Sequence, residues 1–233
     1  MSTEVAVIVG AGPGLSASFA RLLAREGFRL ALIARDTGKL EGLAAELATR
    51  TQVVALAADA SDPAQIEAAF ARAETDLGPP DLVLFNVSRR LRGPIEDLDP
   101  QAVMAAYQAG AFAGFLTAQA ASRRMLPRGA GTLLFTGATA SVKAMPQSAP
   151  FAMAKFALRG LAQGLARELG PRGIHVAHAI IDGGIAAPSR PTDGPPDRWL
   201  DPDAIAASYL ALHRQHRSAW SAEIDLRPWV ETF

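Results

Sequence analysis

The chain has 233 residues, 49% of them hydrophobic, with 23 basic against 23 acidic side chains and no cysteine. That length carries one generous domain with a substantial core, and zero net charge is the wrong electrostatic footprint for a nucleic-acid binder. Without cysteine there is no disulfide framework, thiolate zinc site or thiol nucleophile.

No apolar run reaches the about 18 residues that would span a bilayer. The opening MSTEVAVIVG enters a strand pattern at once, without the basic and long apolar regions of a signal peptide. The expectation is a cytoplasmic α/β domain that meets neither nucleic acid nor membrane and holds no metal.

The first strand is predicted at Val5–Val9, an unbroken apolar run suited to a parallel sheet covered on both faces. Directly after it comes Gly10-Ala11-Gly12-Pro13-Gly14-Leu15-Ser16. Glycines let a backbone turn sharply and approach a pyrophosphate seated on the free N–H groups of a helix start. They also serve ordinary tight turns, but the place between a first strand and a first helix favours a nucleotide. Ser16 stands where the pattern has its last glycine, and either widens the loop or offers a hydroxyl to phosphate. Leu15, Phe19, Leu22 and Leu23 then share one helix face, closed by Gly27.

The second strand, Arg29–Ala34, exits through Arg35 and Asp36. Asp36 suits the ribose of NAD, whereas Arg35 suits the 2′-phosphate of NADP with Asp36 capping the next helix; a solvated Arg35 is the third reading. Leu40, Leu43, Ala44 and Leu47 make the next helix face. Past a third strand at Gln52–Leu56, Asp59 meets an adenine edge or caps a turn. Asp62-Pro63 reads as a helix cap and first turn, with Ile66, Ala69, Phe70 and Ala73 facing inward. Asp99-Pro100 and Asp201-Pro202 repeat that signal.

The fourth strand, Asp81–Phe85, leads to Arg89, Arg90 and Arg92 at its carboxyl end, where open α/β sheets bind ligands. Three guanidinium groups there either clamp a carboxylate or phosphate or form a solvated loop. Ala102–Arg124 reads as one long helix, rich enough in Ala and Gly for a tight oligomer seam, and Gly160 and Gly164 suggest close helix contact further on. Strands at Thr132–Thr136 and Ile174–Ile181 follow. A flexible substrate loop is expected around 186–200, where Pro188–Trp199 breaks the pattern, and Trp220–Trp229 supplies a last strand. This alternation predicts a doubly wound parallel sheet of Rossmann type, three layers α/β/α, in a single domain over 1–233.

The glycine loop at Gly10 and Gly14, Asp59 before Asp62-Pro63, the LFN ending at Asn86, GTLLFTGATAS, the helix carrying Lys155 and the DGGI turn together resemble the short-chain dehydrogenase/reductase family over nearly the whole chain. The resemblance implies hydride transfer between a nicotinamide and an alcohol or carbonyl. Matched by position, Gly10, Gly14, Asp59, Asn86 and Lys155 carry over as cofactor contacts, and Gly12, Leu15, Gly183 and Ile185 are expected to join them. Ala34 falls where NAD-selective members place their acid and Arg35 one residue later, so the resemblance implies NADP(H) in preference to NAD(H), with Asp36 as a cap. It also implies pairing of the long helices into a homodimer or homotetramer.

The catalytic positions of that family are altered here. Where members have Tyr with Lys four residues on, this chain has Phe151 and Lys155; the Ser position is Ala138, the Asn position Gly110, and the Thr after the DGGI turn Ala187. A phenyl ring has no proton to give, and loss of positioned proton transfer typically costs 10²–10⁴-fold in rate. Lys155 is one of three lysines beside 20 arginines, and a compact ammonium is not freely exchanged for a planar fork; a packed aliphatic stem is the plainer explanation.

Tyr107, three residues before Gly110, is the candidate substitute phenol, against an aromatic that merely packs. Thr136, Thr139, Ser141 and Ser148 offer hydroxyls near the altered positions, His178 lies on the sixth strand, and Asp182 either titrates or satisfies loop N–H groups. Two functions follow: an NADP(H)-dependent oxidoreductase with a non-standard proton donor acting on an unknown small molecule, or a catalytically silent cofactor-binding sensor or partner subunit.

Overall fold

The computed structural model describes residues 4–191 and 193–230. The apolar runs form β1 (Val5–Val9), β2 (Arg29–Ala34), β3 (Val53–Ala57), β4 (Leu82–Phe85), β5 (Gly131–Thr136), β6 (Ile174–Ile181) and β7 (Glu223–Leu226). They join one sheet in the order β3-β2-β1-β4-β5-β6-β7, and every neighbouring pair is parallel. The expected strands match to within one residue at each end, and the last one lies inside Trp220–Trp229.

Strand alternation sorts the core onto two faces. Val5, Val7 and Val9 of β1 join Phe70, Leu116 and Leu158 on one side. Ala6 and Ile8 join Phe19, Leu23 and Tyr209 on the other. Both faces of the sheet are therefore covered, which is why the central strands read as unbroken apolar runs.

The helices are α1 (Leu15–Arg25), α2 (Glu41–Ala48), α3 (Pro63–Leu77), α4 (Pro100–Tyr107), α5 (Ala113–Met125), α6 (Ala149–Leu169) and α7 (Pro202–His213). Asp62, Asp99 and Asp201 cap α3, α4 and α7 through their side chains, each followed by Pro in the first turn. A proline there gives up an N–H that would have no partner in any case.

One expectation is corrected. The long helix read over Ala102–Arg124 is α4 and α5 joined by a π-helical turn, Gln108–Phe112, which centres on Gly110. The turn packs closely on α6: a Cβ on Gly110 would lie 2.8 Å from the Ala154 Cβ, and one on Gly114 2.5 Å from Leu158 Cδ1. Gly110 therefore does not leave room beside Tyr107, because Ala154 fills that space. Gly160 and Gly164 make no such contact, with nothing within 4 Å of a Cβ at either.

The order of strands places the topological switch between β1 and β4, and ligands of open sheets lie outside the carboxyl ends at that point. The segment after β6 returns to the sheet through a parallel bridge between Ile185 and Leu200. Between these anchors Trp199 lies between the guanidinium groups of Arg190 and Arg198, each 4.7 Å from a ring centroid.

Gly110→Ala is expected to lower stability by about 1–3 kcal/mol, the usual cost of overpacking. Adding Ala154→Gly should return part of that loss in urea unfolding, since residues in contact do not behave additively. Two losses that simply summed would mean that these residues do not touch.

Candidate functional site

A cleft of about 760 Å³ opens at the switch point, lined by Gly10, Gly12, Pro13, Arg35, Asp36, Lys39, Asp59, Asn86 and Arg89 among others. Gly10 has φ +86, and a Cβ on it would come 2.8 Å from the Asn86 backbone, so the loops after β1 and β4 meet where only glycine fits. A Cβ on Gly12 would touch nothing within 4 Å. Gly14 (φ +85) starts α1 with no side-chain cap and no acid in the first turn. The N–H groups of that turn stay available to an anion, and the helix dipole adds to their attraction.

Ser16 neither widens the loop nor faces phosphate. Its hydroxyl donates to the Gly10 carbonyl (3.0 Å) and accepts from Asn86 Nδ2 (2.7 Å), tying the loops after β1 and β4 together. Asn86 is thus a strut between two strands as well as a cleft residue.

At the end of β2 three charged side chains reach the cleft. Asp36 accepts from the Gly38 N–H (3.1 Å) and lies 3.5 Å from Lys39, a capping role. Arg35 and Lys39 line the cleft beside it. Asp59 accepts from the Ser61 hydroxyl (2.6 Å) and N–H (2.9 Å), and these bonds hold its carboxyl below the usual carboxylate range.

Other expected contacts sit outside the lining of this cleft. Leu15 packs in the core, Gly183 takes φ +150 with Pro228 only 2.8 Å from where a Cβ would lie, and Ile185 holds the bridge to Leu200. Lys155 lies within α6, 3% exposed.

The family's catalytic corner is apolar here. Phe151 packs with Ala138, Ala140 and Ala152 in a small separate cluster. Lys155 Nζ donates to the Thr136 carbonyl at 2.7 Å. Among the described residues no carboxylate lies within ion-pair distance of it. Burial first, and the nearby Arg90 charge second, push this ammonium down to about 8. The plain reading of Lys155, an aliphatic stem with its head in water, is overturned.

The neighbouring hydroxyls are engaged. Thr136 Oγ1 accepts from Tyr209 (3.0 Å), Thr139 donates to Asp182 (2.5 Å), and Ser148 donates to the Met145 carbonyl (2.6 Å). Asp182 satisfies a hydroxyl and, at 3.5 Å, Arg227, instead of loop N–H groups. Tyr107 is 37% exposed, outside the cleft lining, and makes no hydrogen bond among those described.

Sequence reasoning missed one polar chain. Ser141 Oγ lies 3.3 Å from His178 Nε2, His178 Nδ1 3.1 Å from Glu223, and Glu223 takes both arms of Arg159. Only the β6–β7 register, which sets His178 opposite Glu223, brings these residues together. Burial pushes His178 down to about 4, against the pull of Glu223. Ser141 and His178 are fully buried, so the arrangement is a brace and not a nucleophile. Ser141 accepts from the Ala138 N–H (3.1 Å), fixing the turn that the family uses for catalysis.

A glycine loop opening a helix at the switch point of an all-parallel doubly wound sheet defines a Rossmann-type protein. The chain belongs to the short-chain dehydrogenase family, whose sequence profile, described as "short chain dehydrogenase", matches residues 4–193. An uncharacterised oxidoreductase of Staphylococcus aureus (strain N315) is 27% identical over 231 residues, 98% of each chain. The crystal structure of a short-chain dehydrogenase from Rhodopseudomonas palustris superposes with a TM-score of 0.85 at 34% identity, covering 97% of this chain and 99% of that one. A metagenomic short-chain oxidoreductase solved in complex with NADP gives 0.85 at 25% identity, over 99% and 100%. No helix among the described residues is long and apolar enough to cross a membrane.

A buried ammonium at about 8 opposes folding below that pH, and the opposition fades as pH rises from 8 towards the ordinary 10.5, where only the unfolded chain still holds the proton. Lys155→Met should therefore gain up to about 3 kcal/mol of stability at pH 7, narrowing towards pH 10. Urea unfolding at several pH values checks this, and a gap independent of pH would contradict the burial.

Proposed function

We propose that this protein is an NADP(H)-binding oxidoreductase whose proton does not come from the family's usual tyrosine. The observation that supports the cofactor reading is the end of β2, where Arg35 and Lys39 line the cleft and Asp36, which lines it too, accepts from the Gly38 N–H as a cap. Two cations suit a 2′-phosphate, and the one acid beside them is held by the Gly38 N–H and by Lys39 at 3.5 Å. The NADP held by the metagenomic relative is in keeping with this.

A nicotinamide bound there supplies or accepts hydride. The chain's own part is to seat the pyrophosphate on the Gly10–Gly14 loop and the start of α1, with Gly183 and Ile185 towards the nicotinamide and Lys155 presenting its ammonium near the ribose. Of the two tyrosines, Tyr209 is wholly buried and burial raises it far above its usual value. Tyr107 or water is then the proton source. The protein works in this reading as a single cytoplasmic domain with a substrate loop around 186–200.

The apolar cluster of Ala138, Ala140, Phe151 and Ala152 favours a second reading, a silent cofactor-binding sensor or partner subunit. Assembly as a homodimer or homotetramer fits both. Phe112 and Phe115, stacked at 6.0 Å, are exposed on one helical face, and Met153 and Phe156 on another, more apolar surface than single scattered residues.

NADPH is expected to raise the unfolding temperature more than NADH does, and Arg35→Ala should remove most of the difference, about tenfold in affinity. Equal shifts for the two dinucleotides would defeat the preference. Phe151→Tyr with Ala138→Ser should bring new reduction of simple ketones with NADPH, because it restores a titratable phenol one helical turn from Lys155. A double variant that folds, binds NADPH and still reduces nothing would mean that the crevice no longer presents a carbonyl. Tyr107→Phe with turnover intact would assign the proton to water.

A further inference from the structure

The corner where the family keeps its proton relay holds two positive charges around one phenyl ring. The Arg90 guanidinium carbon lies 5.1 Å from the Phe151 ring centroid, and Lys155 Nζ lies 6.0 Å from the same centroid. Neither has a carboxylate within ion-pair distance among the described residues. Lys155 has the Thr136 carbonyl as its hydrogen-bond acceptor, and Arg90 is exposed. A guanidinium that stacks on a ring keeps its N–H edge free, in the planar fork that matches a carboxylate. Like charges this close to one ring repel unless an anion arrives between them, and after burial that repulsion is the second cause of the depressed Lys155 pKa. The apolar cluster beneath offers the anion's carbon skeleton a hydrophobic floor.

We propose that Arg90 binds the carboxylate of an anionic substrate over the Phe151 ring, with the uncompensated Lys155 charge adding to the attraction. The phenyl ring then supports a binding group where the family has a proton donor. Arg89, one residue earlier, lines the cofactor cleft, so neighbouring arginines serve different ligands. This deepens the oxidoreductase reading by naming its substrate class, and rests on that reading only in calling the anion a substrate.

The test is calorimetric titration of the full chain, with and without NADPH, using benzoate and its neutral isostere benzamide at constant ionic strength. Benzoate should bind at least about tenfold tighter than benzamide, and Arg90→Ala or Arg90→Gln should reduce that preference to less than threefold. Arg90→Lys should keep only part of it, since an ammonium cannot form the bidentate pair. Arg90 is exposed, and an unchanged unfolding temperature in the variants checks that they fold. Benzoate that fails to bind, or a preference that survives both variants, overturns the proposal. So does a loss of NADPH affinity in Arg90→Ala as large as the loss for benzoate, which would give the guanidinium to the cofactor. Failure of the parent to bind NADPH would defeat the cofactor reading alone, because the titration without cofactor still judges the carboxylate site.

Discussion

The bond from the Lys155 ammonium to the Thr136 carbonyl organises the functional end of this molecule. It joins the first turns of α6 to the last residue of β5 at 2.7 Å, in a place where water does not reach. Burial of an unpaired ammonium opposes folding, so the side chain is not there for stability. Around it the protein gives up the alternatives. Thr136 also accepts the Tyr209 hydroxyl, the α4–α5 chain bends through a π turn to bring Gly110 against Ala154 on the same helix, and Phe151 lies one turn before the lysine. In the proposed function a bound ligand is what accounts for a charge kept at such a cost.

The alterations at the catalytic positions form one coherent repacking. Ala138, Ala140, Phe151 and Ala152 touch one another, so the hydroxyls that the family places there give way to mutual apolar contact. Gly110 belongs to the same change: the close approach to Ala154 leaves no space for the longer side chain that the family has at this position. Meanwhile the Ser141–His178–Glu223–Arg159 chain braces the turn at Ala138 from behind. The turn at this corner is held by hydrogen bonds from behind, with an apolar cluster in front and the Arg90 guanidinium over the Phe151 ring.

Much of this was legible in residues alone. Unbroken apolar runs give strands buried on both faces, and the three Asp-Pro starts appear where expected because a side-chain cap and a proline act locally. The glycine loop, Arg35, Asp59 and Asn86 come together because each follows the carboxyl end of a parallel strand, a consequence of topology that strand order already implies. Ser16 was misread because its partner Asn86 is 70 residues away. The break in the helix expected over Ala102–Arg124 left no local signal, and propensity carries no record of the close approach of Gly110 to Ala154.

By itself the sequence determined the class of fold, the glycine loop that opens the first helix and the absence of a phenol at residue 151, since these depend on local pattern and on the chemistry of single side chains. Only the tertiary structure decided that Lys155 is buried without a counter-ion among the described residues, that Arg90 lies over Phe151, and that His178 meets Glu223. Those facts arise from register and packing between elements far apart in the chain, where free energy depends on distance and exclusion of water and not on the order of residues.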